Sequence, residues 1–336
     1  MTDWKSTAEP GQFSISDFRF ADGRRLDVTL AYHTLGSLDS GASNAVMLLH
    51  GTTGSGQQFL QPSTADFLFG SGQPLDVSRF FVILPDAIGH GRSSRPSDGL
   101  GPDFPRYGYG DIVEGQHRLL VQGLGIERLR LLLGTSMGGM QTWLWGERYP
   151  DAAQALMAIA SLPERITGRN LLWRRMLIRL IESDPGYAGG RYAKQPAGLG
   201  HAMALFQLMV GSPAQMAADL GSIEAADVHV NQVEAQALDG EDANDVIWEF
   251  DASRDYDPAP QLHAIRAPLL AVNFTDDELN PVELGGLERA IAKVPYGRGV
   301  TLPAGPQSRG HQTLRFAETW SDHLAGLLAQ TGTTPA

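Results

Sequence analysis

The chain has 336 residues, and its 39 Gly and 20 Pro are typical of a globular enzyme rich in loops and exclude a collagen-like or coiled-coil rod. Its formal net charge of −12 repels phosphate groups and anionic lipid headgroups, so we expect neither nucleic acid nor a membrane surface as a partner. The absence of Cys excludes disulfides, a cysteine nucleophile and a thiolate metal site.

The first two predicted strands, residues 13–20 and 26–33, are separated by Asp22-Gly23, which suits a tight hairpin. Helical patterns occur later, for example at 111–124 and 139–149. Between the helical patterns lie short apolar runs that are typical of parallel strands buried on both faces, namely 45–49, 80–84, 129–133, 156–160 and 268–274. This alternation predicts an α/β fold with a mostly parallel, doubly wound sheet.

Residues 164–261 interrupt the alternation, because they contain successive helical patterns and no strand-like apolar run. A Pro-rich sequence at 257–260 is suited to returning the chain to the sheet. We therefore predict an inserted helical cap over 164–261 and a core made of 1–163 and 262–336. The predicted cap helices are 170–182, 201–210, 213–220 and 225–238.

A candidate nucleophile, Ser136, follows the predicted strand at 129–133 within a G-x-S-x-G sequence. Between a strand and a helix, this sequence forms a sharp turn that exposes the Ser, and the flanking Gly134 and Gly138 allow close backbone approach. The helix N-terminus there also favours developing negative charge. The alternative is a glycine-rich turn whose Ser has no chemical role, but the order of the surrounding elements favours the nucleophile.

A Ser nucleophile needs a base and an acidic residue that orients the base, and after such a turn the acidic residue precedes the His. Of the nine His, His311 lies in a Gly-containing loop after the strand-like run 299–302, whereas His323 lies in the predicted terminal helix. We therefore predict His311 as the base. Asp276 and Asp277 follow the strand at 268–274, and spacing does not choose between them.

Three sequence elements resemble the α/β-hydrolase superfamily, and most of all its homoserine O-acetyltransferase-like branch: G-T-S-M-G-G-M-Q at 134–141, D-D-E-L-N-P at 276–281 and R-G-H at 309–311. The likeness extends from about residue 44 to residue 311. It implies an α/β-hydrolase fold with Ser136 as nucleophile and His311 as base. It also implies that Asp277, rather than Asp276, is the carboxylate that orients His311.

An oxyanion hole needs two backbone N–H donors, and the first is the amide after the nucleophile, here Met137. The loop after the strand at 45–49 resembles the superfamily's His-Gly-x loop, which implies the Thr52 amide as the second donor. A phosphate-binding loop is the alternative for 51–56, but this segment lacks the Gly-Lys-Ser/Thr ending. The resemblance gives His90, in G-H-G-R-S, a structural role.

Two features of the predicted cap have two interpretations each. Five Arg between 165 and 179 could bind a substrate carboxylate, but such a run is more often a solvated helix face. The Met-rich segment 203–209 could line an acyl pocket, but core packing is its more common role. The sequence therefore assigns no substrate-binding residue.

We expect a serine hydrolase that cleaves a small carboxylic ester through an acyl-enzyme on Ser136. The alternative is an acetyl-CoA-dependent homoserine or serine O-acetyltransferase that uses the same intermediate. Two departures from the transferase pattern favour the esterase: Gln312 stands where homoserine acetyltransferases usually carry Asp, and the loop at 50–54 reads H-G-T-T-G rather than H-A-L-T-G. A hydrolase fold retained as a non-catalytic small-molecule-binding module is a minor alternative.

No sequence feature indicates a metal or a bound organic cofactor, and acetyl-CoA would be a co-substrate only in the transferase alternative. We expect a small-molecule ester as the substrate and leave a homodimer open. Residues 1–27 lack a basic segment followed by an apolar run, and no apolar stretch of about 18 residues occurs elsewhere, so we expect a cytoplasmic protein.

Overall fold

The computed structural model describes residues 4–331, except for the side chain of Ser6. The ends of the predicted core, 1–3 and 332–336, lie outside the described residues. Eight strands of the described range form one sheet. They are β1 (Glu9–Arg19), β2 (Arg25–Leu35), β3 (Ala45–Leu49), β4 (Phe81–Pro85), β5 (Leu131–Thr135), β6 (Leu156–Ile159), β7 (Leu269–Phe274) and β8 (Gly297–Leu302).

The sheet order is β1-β2-β4-β3-β5-β6-β7-β8. Strands β1 and β2 form the predicted hairpin, and β2 pairs antiparallel with β4. From β4 to β8 all neighbouring strands are parallel. Strands β3 and β5 are buried along their whole length, as expected for short apolar runs in a parallel sheet. This arrangement confirms the predicted α/β fold with a mostly parallel sheet.

Helices cover both faces of the sheet. They are α1 (Pro62–Leu68), α2 (Tyr109–Arg118), α3 (Met137–Arg148), α4 (Gly168–Glu182), α5 (Ala197–Val210), α6 (Pro213–Asp219), α7 (Ile223–Gly240), α8 (Ala243–Asp251), α9 (Gly286–Ile291) and α10 (Ser321–Thr331). Because side chains alternate along β3, Met47 packs in one apolar cluster with Trp143 of α3, and Leu48 packs in the other with Leu324 of α10. Between residues 4 and 331, no helix has the length and apolar character needed to cross a membrane.

The strand that leads to the candidate nucleophile lies two residues later than predicted. It spans Leu131–Thr135 rather than 129–133, because Leu129 makes only an isolated bridge to Ala153. Helix α3 begins at Met137 rather than at 139. A single residue, Ser136, therefore connects strand and helix.

Between β6 and β7 the described chain contains the five helices α4 to α8 and no strand, in the segment where we predicted the cap. Helix α5 begins at Ala197, four residues before its predicted start at 201. Helix α8 was missed, although Asp242 caps it by accepting hydrogen bonds from the Asn244 and Asp245 amides. That capping carboxylate, followed by the apolar spacing of the helix, was the available signal.

Candidate active site

Ser136 lies in the turn between β5 and α3 with φ +53° and ψ −115°. Residues other than Gly rarely adopt positive φ, so the surrounding structure must hold this conformation. A Cβ on Gly134 would lie 2.0 Å from the Gly138 carbonyl oxygen, and a Cβ on Gly138 would lie 2.0 Å from the Leu49 carbonyl oxygen. Close packing therefore requires both glycines of the G-x-S-x-G sequence.

The structure brings three of the predicted site residues into one hydrogen-bonded chain. Ser136 Oγ lies 2.7 Å from His311 Nε2, and His311 Nδ1 lies 2.8 Å from Asp277 Oδ2. His311 is 5% exposed and Asp277 is 2% exposed. Because the carboxylate accepts the Nδ1–H, Nε2 is left to accept the Ser136 hydroxyl proton. This arrangement can turn a weakly nucleophilic hydroxyl into a reactive one.

Asp277 is held as a carboxylate despite its burial. Burial favours the neutral acid, but the contact with His311 and two further hydrogen bonds outweigh it and hold the pKa of Asp277 below its ordinary value. The two further donors are Asn280 Nδ2 at 2.8 Å and the Leu279 amide at 2.9 Å. Asn280 Nδ2 also donates to the Ala160 carbonyl at 3.1 Å, which ties the Asp277 loop to the end of β6.

Asp276 has a different partner from its neighbour. Its Oδ2 accepts a hydrogen bond from the Gly310 amide at 2.9 Å, and within the described residues no hydrogen bond joins it to the His311 imidazole. Gly310 has φ +61°, and a Cβ there would lie 2.6 Å from the Gly211 carbonyl oxygen. Asp276 thus fastens the loop that carries His311, while Asp277 contacts the ring.

The loop at 50–54 packs against the Ser136 turn. A Cβ on Gly51 would lie 3.4 Å from the Cβ of Ser136, and Thr52 lines the same cavity as Ser136 and His311. The Met137 amide belongs to the first residue of α3, where helix N–H groups have no acceptor within the helix. Of the two residues predicted to supply oxyanion-hole amides, Thr52 therefore shares a cavity with Ser136, and Met137 follows Ser136 directly.

Two buried imidazoles, those of His50 and His90, lie next to each other at the start of this loop. His50 donates from Nδ1 to the Gly51 carbonyl at 2.8 Å, and its Nε2 accepts the Ala87 amide at 2.9 Å. His90 donates from Nδ1 to the Ile88 carbonyl at 3.0 Å, and its ring centroid lies 5.2 Å from that of His50. Burial lowers the pKa of His50, and burial together with His50 lowers the pKa of His90 to about 3. Both rings are therefore neutral near pH 7.

Two small cavities meet at Ser136 and His311. One, of about 60 Å³, lies between the loop at 51–54 and the apolar side chains of Phe206, Met209 and Phe250. The other, of about 130 Å³, is bordered by residues of the segments 160–170 and 278–281. Both are small against the roughly 300–1,000 Å³ of typical ligand pockets.

Arg174 of α4 lines both cavities although it is only 6% exposed. Its Nε donates to Asn170 Oδ1 at 3.0 Å, and its Nη1 donates to Ser253 Oγ at 3.3 Å. Its guanidinium carbon lies 5.6 Å from the ring centroid of Phe250. A buried guanidinium beside the candidate nucleophile can bind an anionic group.

The Arg-rich start of the predicted cap thus contains two kinds of side chain. Three exposed members form ion pairs, which fits the solvated helix face, whereas Arg174 has no ion pair with any carboxylate of residues 4–331. The three pairs are Arg165 with Asp257, Arg169 with Glu278 and Arg175 with Asp251. The Met-rich segment also has both of its expected roles: Met203 packs in the main core, and Met209 lines the smaller cavity.

Gln58 and Phe250 also line the site and were not predicted. No local sequence pattern identifies either residue, because each reaches the site only when separate elements of the fold pack together.

Within the described part of the chain, no group of three or more His, Asp or Glu is arranged to hold a metal ion, so we assign no metal ligand.

Comparison with known proteins identifies related sequences. The model of a family described as alpha/beta hydrolase fold matches residues 44–284. A homoserine O-succinyltransferase of Halothiobacillus neapolitanus is 30% identical over an alignment of 342 positions, gaps included, that covers 89% of this chain and 84% of that protein. An ethyl acetate hydrolase of Pseudomonas veronii is 34% identical over 208 residues, which cover 60% of this chain and 58% of that protein.

The fold is shared with solved structures. An acetylester hydrolase from Corynebacterium glutamicum matches with a TM-score of 0.83 and 25% identity, and the match covers 96% of each chain. For several curated relatives that are homoserine O-acetyltransferases, the chain spans only about half of their length. The similar proteins therefore include both ester hydrolases and acyltransferases.

Proposed function

The chain belongs to the α/β-hydrolase superfamily, in its homoserine O-acetyltransferase-like branch, and we propose that it hydrolyses a small carboxylic ester with Ser136 as the nucleophile. The observation that carries the proposal is the hydrogen-bonded chain of Ser136, His311 and Asp277. Thr52, which lines the same cavity, and Met137, which follows Ser136, would supply the backbone N–H groups that stabilise the oxyanion.

In the first half-reaction, His311 Nε2 accepts the Ser136 hydroxyl proton while Oγ attacks the carbonyl carbon of the ester. The Met137 and Thr52 amides stabilise the resulting oxyanion. When the tetrahedral intermediate collapses, the bond to the alcohol breaks, and the alcohol leaves with the proton from His311. His311 then activates a water molecule, which releases the carboxylic acid and restores Ser136. Asp277 stays ionised and stabilises the imidazolium.

The residue next to the base supports water as the acyl acceptor. Gln312 lines the cavity that contains Ser136 and His311. It offers a neutral amide where the resemblance places Asp in homoserine acetyltransferases, so the ammonium group of an amino-acid acceptor would lack that carboxylate. The relatives named as ester hydrolases support the same choice.

The charge around the site also supports hydrolysis over a CoA-dependent reaction. A groove of about 1,000 Å³ adjoins the loop at 53–58, and it contains the two cations Arg95 and Arg315. Acidic side chains outnumber these cations even without Glu249, whose burial raises its pKa well above the ordinary value: they are Asp239, Glu241, Asp242 and Asp245. An excess of carboxylates disfavours the phosphates of acetyl-CoA. The small cavities at Ser136 favour short acyl groups.

One observation favours the O-acetyltransferase as a second candidate. Arg174 lies beside Ser136 as a buried cation, and such a residue could bind the carboxylate of an amino-acid acceptor. It could equally bind an ester that itself carries a carboxylate. The acyl acceptor must therefore be identified from the products.

The test supplies the purified protein with p-nitrophenyl acetate, with and without L-homoserine, and quantifies acetate and O-acetylhomoserine. We expect acetate to dominate at every homoserine concentration and Ser136→Ala to form neither product. Accumulation of O-acetylhomoserine at the expense of acetate would make the protein an acyltransferase. A wild-type protein that neither cleaves the ester nor reacts with a fluorophosphonate would be a non-catalytic binding module.

A further inference from the structure

Gln58 connects the two chain segments that carry the oxyanion donors. It lies in a short 3-10 helix, Gly56–Leu60, which Ser55 separates from the loop at 50–54. Its Oε1 accepts a hydrogen bond from the Gly51 amide at 3.1 Å, and its Nε2 donates to Thr135 Oγ1 at 2.8 Å. Gly51 directly precedes Thr52, and Thr135 directly precedes Ser136. The side chain thus bridges the two segments next to the reacting groups.

This bridge lies where the sheet no longer holds the segments together. The parallel pairing of β3 and β5 ends at Leu49 and Gly134. Beyond that point, the loop contains Thr53 with φ +59°, a conformation that persists only where the surroundings enforce it. Side-chain contacts therefore contribute to the close approach of Gly51 to Ser136, together with the packing of Gly138 on the Leu49 carbonyl, and Gln58 supplies one that reaches both segments.

The chemistry of a primary amide suits this position. An amide accepts through its oxygen and donates through its nitrogen, so one side chain satisfies the Gly51 N–H and the Thr135 hydroxyl oxygen at the same time. Thr135 is 1% exposed, so water cannot readily replace the lost partner. A carboxylate at position 58 would instead add negative charge near the developing oxyanion.

We infer that Gln58 is a positioning residue that fixes the separation between the Thr52 and Met137 amides, and this inference rests on the proposed function. Gln58 acts through these amides and not on the reacting atoms. Oxyanion contacts form in the transition state rather than in the ground state, so loss of the bridge lowers kcat and leaves KM nearly unchanged.

The test is a double-mutant cycle on p-nitrophenyl acetate with Gln58→Leu, Thr135→Val and the double variant. We expect Gln58→Leu to lower kcat about tenfold to thirtyfold, less than the roughly 10²–10³-fold cost of removing an oxyanion donor. Thr135→Val removes one end of the bridge and should lower kcat about threefold to fivefold. The double variant should lose no more than Gln58→Leu alone, because the same bridge is already broken.

A boronic acid that forms a tetrahedral adduct on Ser136 provides a second measurement. Its affinity should fall by the same factor as kcat in each variant, because the adduct resembles the transition state. The control is Gln57→Leu, an exposed neighbour in the same 3-10 helix, which should keep kcat within about twofold of wild type. Melting temperatures verify that each variant is folded.

The inference is overturned if Gln58→Leu keeps the wild-type kcat, if it raises KM alone, or if the two single effects multiply in the double variant. Should Gln58→Leu fail to fold, the isosteric Thr135→Val carries the test, and an unchanged kcat there overturns the inference. All these outcomes leave the proposed function intact. A wild-type protein without ester turnover or fluorophosphonate labelling would overturn the proposed function instead.

Discussion

The sheet edge and the helices between β6 and β7 build the site in different ways. The sheet edge places Ser136, Asp277 and His311 through backbone turns, close glycine packing and buried hydrogen bonds. The helices contribute side chains that shape the cavities, chiefly Arg174 and Phe206. We therefore expect changes at the sheet edge to remove the reaction, and changes in the helices to alter which ester is used.

The largest expected effect is at the candidate nucleophile. Ser136→Ala removes the oxygen that would carry the acyl group, so kcat should fall about 10⁴-fold to 10⁶-fold, measured as release of p-nitrophenol. The control is Ser71→Ala, an exposed serine away from the site, which should behave as wild type. Substantial activity in Ser136→Ala would mean that another residue is the nucleophile.

The two adjacent carboxylates provide a matched pair. Asp277→Asn removes the negative charge that orients His311, and kcat should fall about 10³-fold to 10⁴-fold. Asp276→Asn keeps an oxygen that can accept the Gly310 amide, so its kcat should change less than about fivefold. Steady-state kinetics on the same ester compares them. The reverse ranking would show that Asp276 orients the base in solution.

In the helices between β6 and β7, Arg174→Met should change which esters are preferred rather than the rate of the chemical step. Hydrolysis of neutral p-nitrophenyl acetate should change less than about threefold, whereas kcat/KM for a monoester of a dicarboxylic acid should fall about tenfold to hundredfold, because a charge-assisted hydrogen bond is lost. Arg175→Met is the control, since Arg175 is exposed and pairs with Asp251. Equal losses on both esters would place Arg174 among the groups needed for the reaction itself.

The same contrast explains which parts of the site could be predicted. The sequence around Ser136 reports a local steric requirement, so its glycines and its strand-to-helix context predicted the turn. The choice of His311 depended on chain order. Asp276 and Asp277 could not be separated by spacing, because their partners depend on the path of a distant loop through Gly310. The predicted ends of β5 lie two residues too early, because apolar character does not show where the hydrogen bonds between strands begin and end.

The helical segment was predictable as helices but not as a cavity wall. Its five arginines belong to one local sequence pattern. Arg174 differs from the others because it is buried, in contact with Ser253 and the ring of Phe250. Phe250 belongs to α8, a helix that the sequence analysis missed. Gln58 joins residues far apart in the chain, Gly51 and Thr135, and no short pattern encodes such a contact.

The smallest expected effect lies at the sheet edge, and its signature is the dependence on pH. Asn280 Nδ2 donates to the same Asp277 oxygen that contacts His311, and it helps to hold the pKa of Asp277 low. Asn280→Ala removes a donor to the charged form, so the pKa of Asp277 rises and the carboxylate is protonated at a higher pH. At pH 8, kcat/KM should therefore differ from wild type by less than about fivefold, and the ratio of variant to wild type should fall further as the pH decreases. Parallel pH profiles would mean that Asn280 acts only by holding the Ala160 carbonyl, and not through the charge of Asp277.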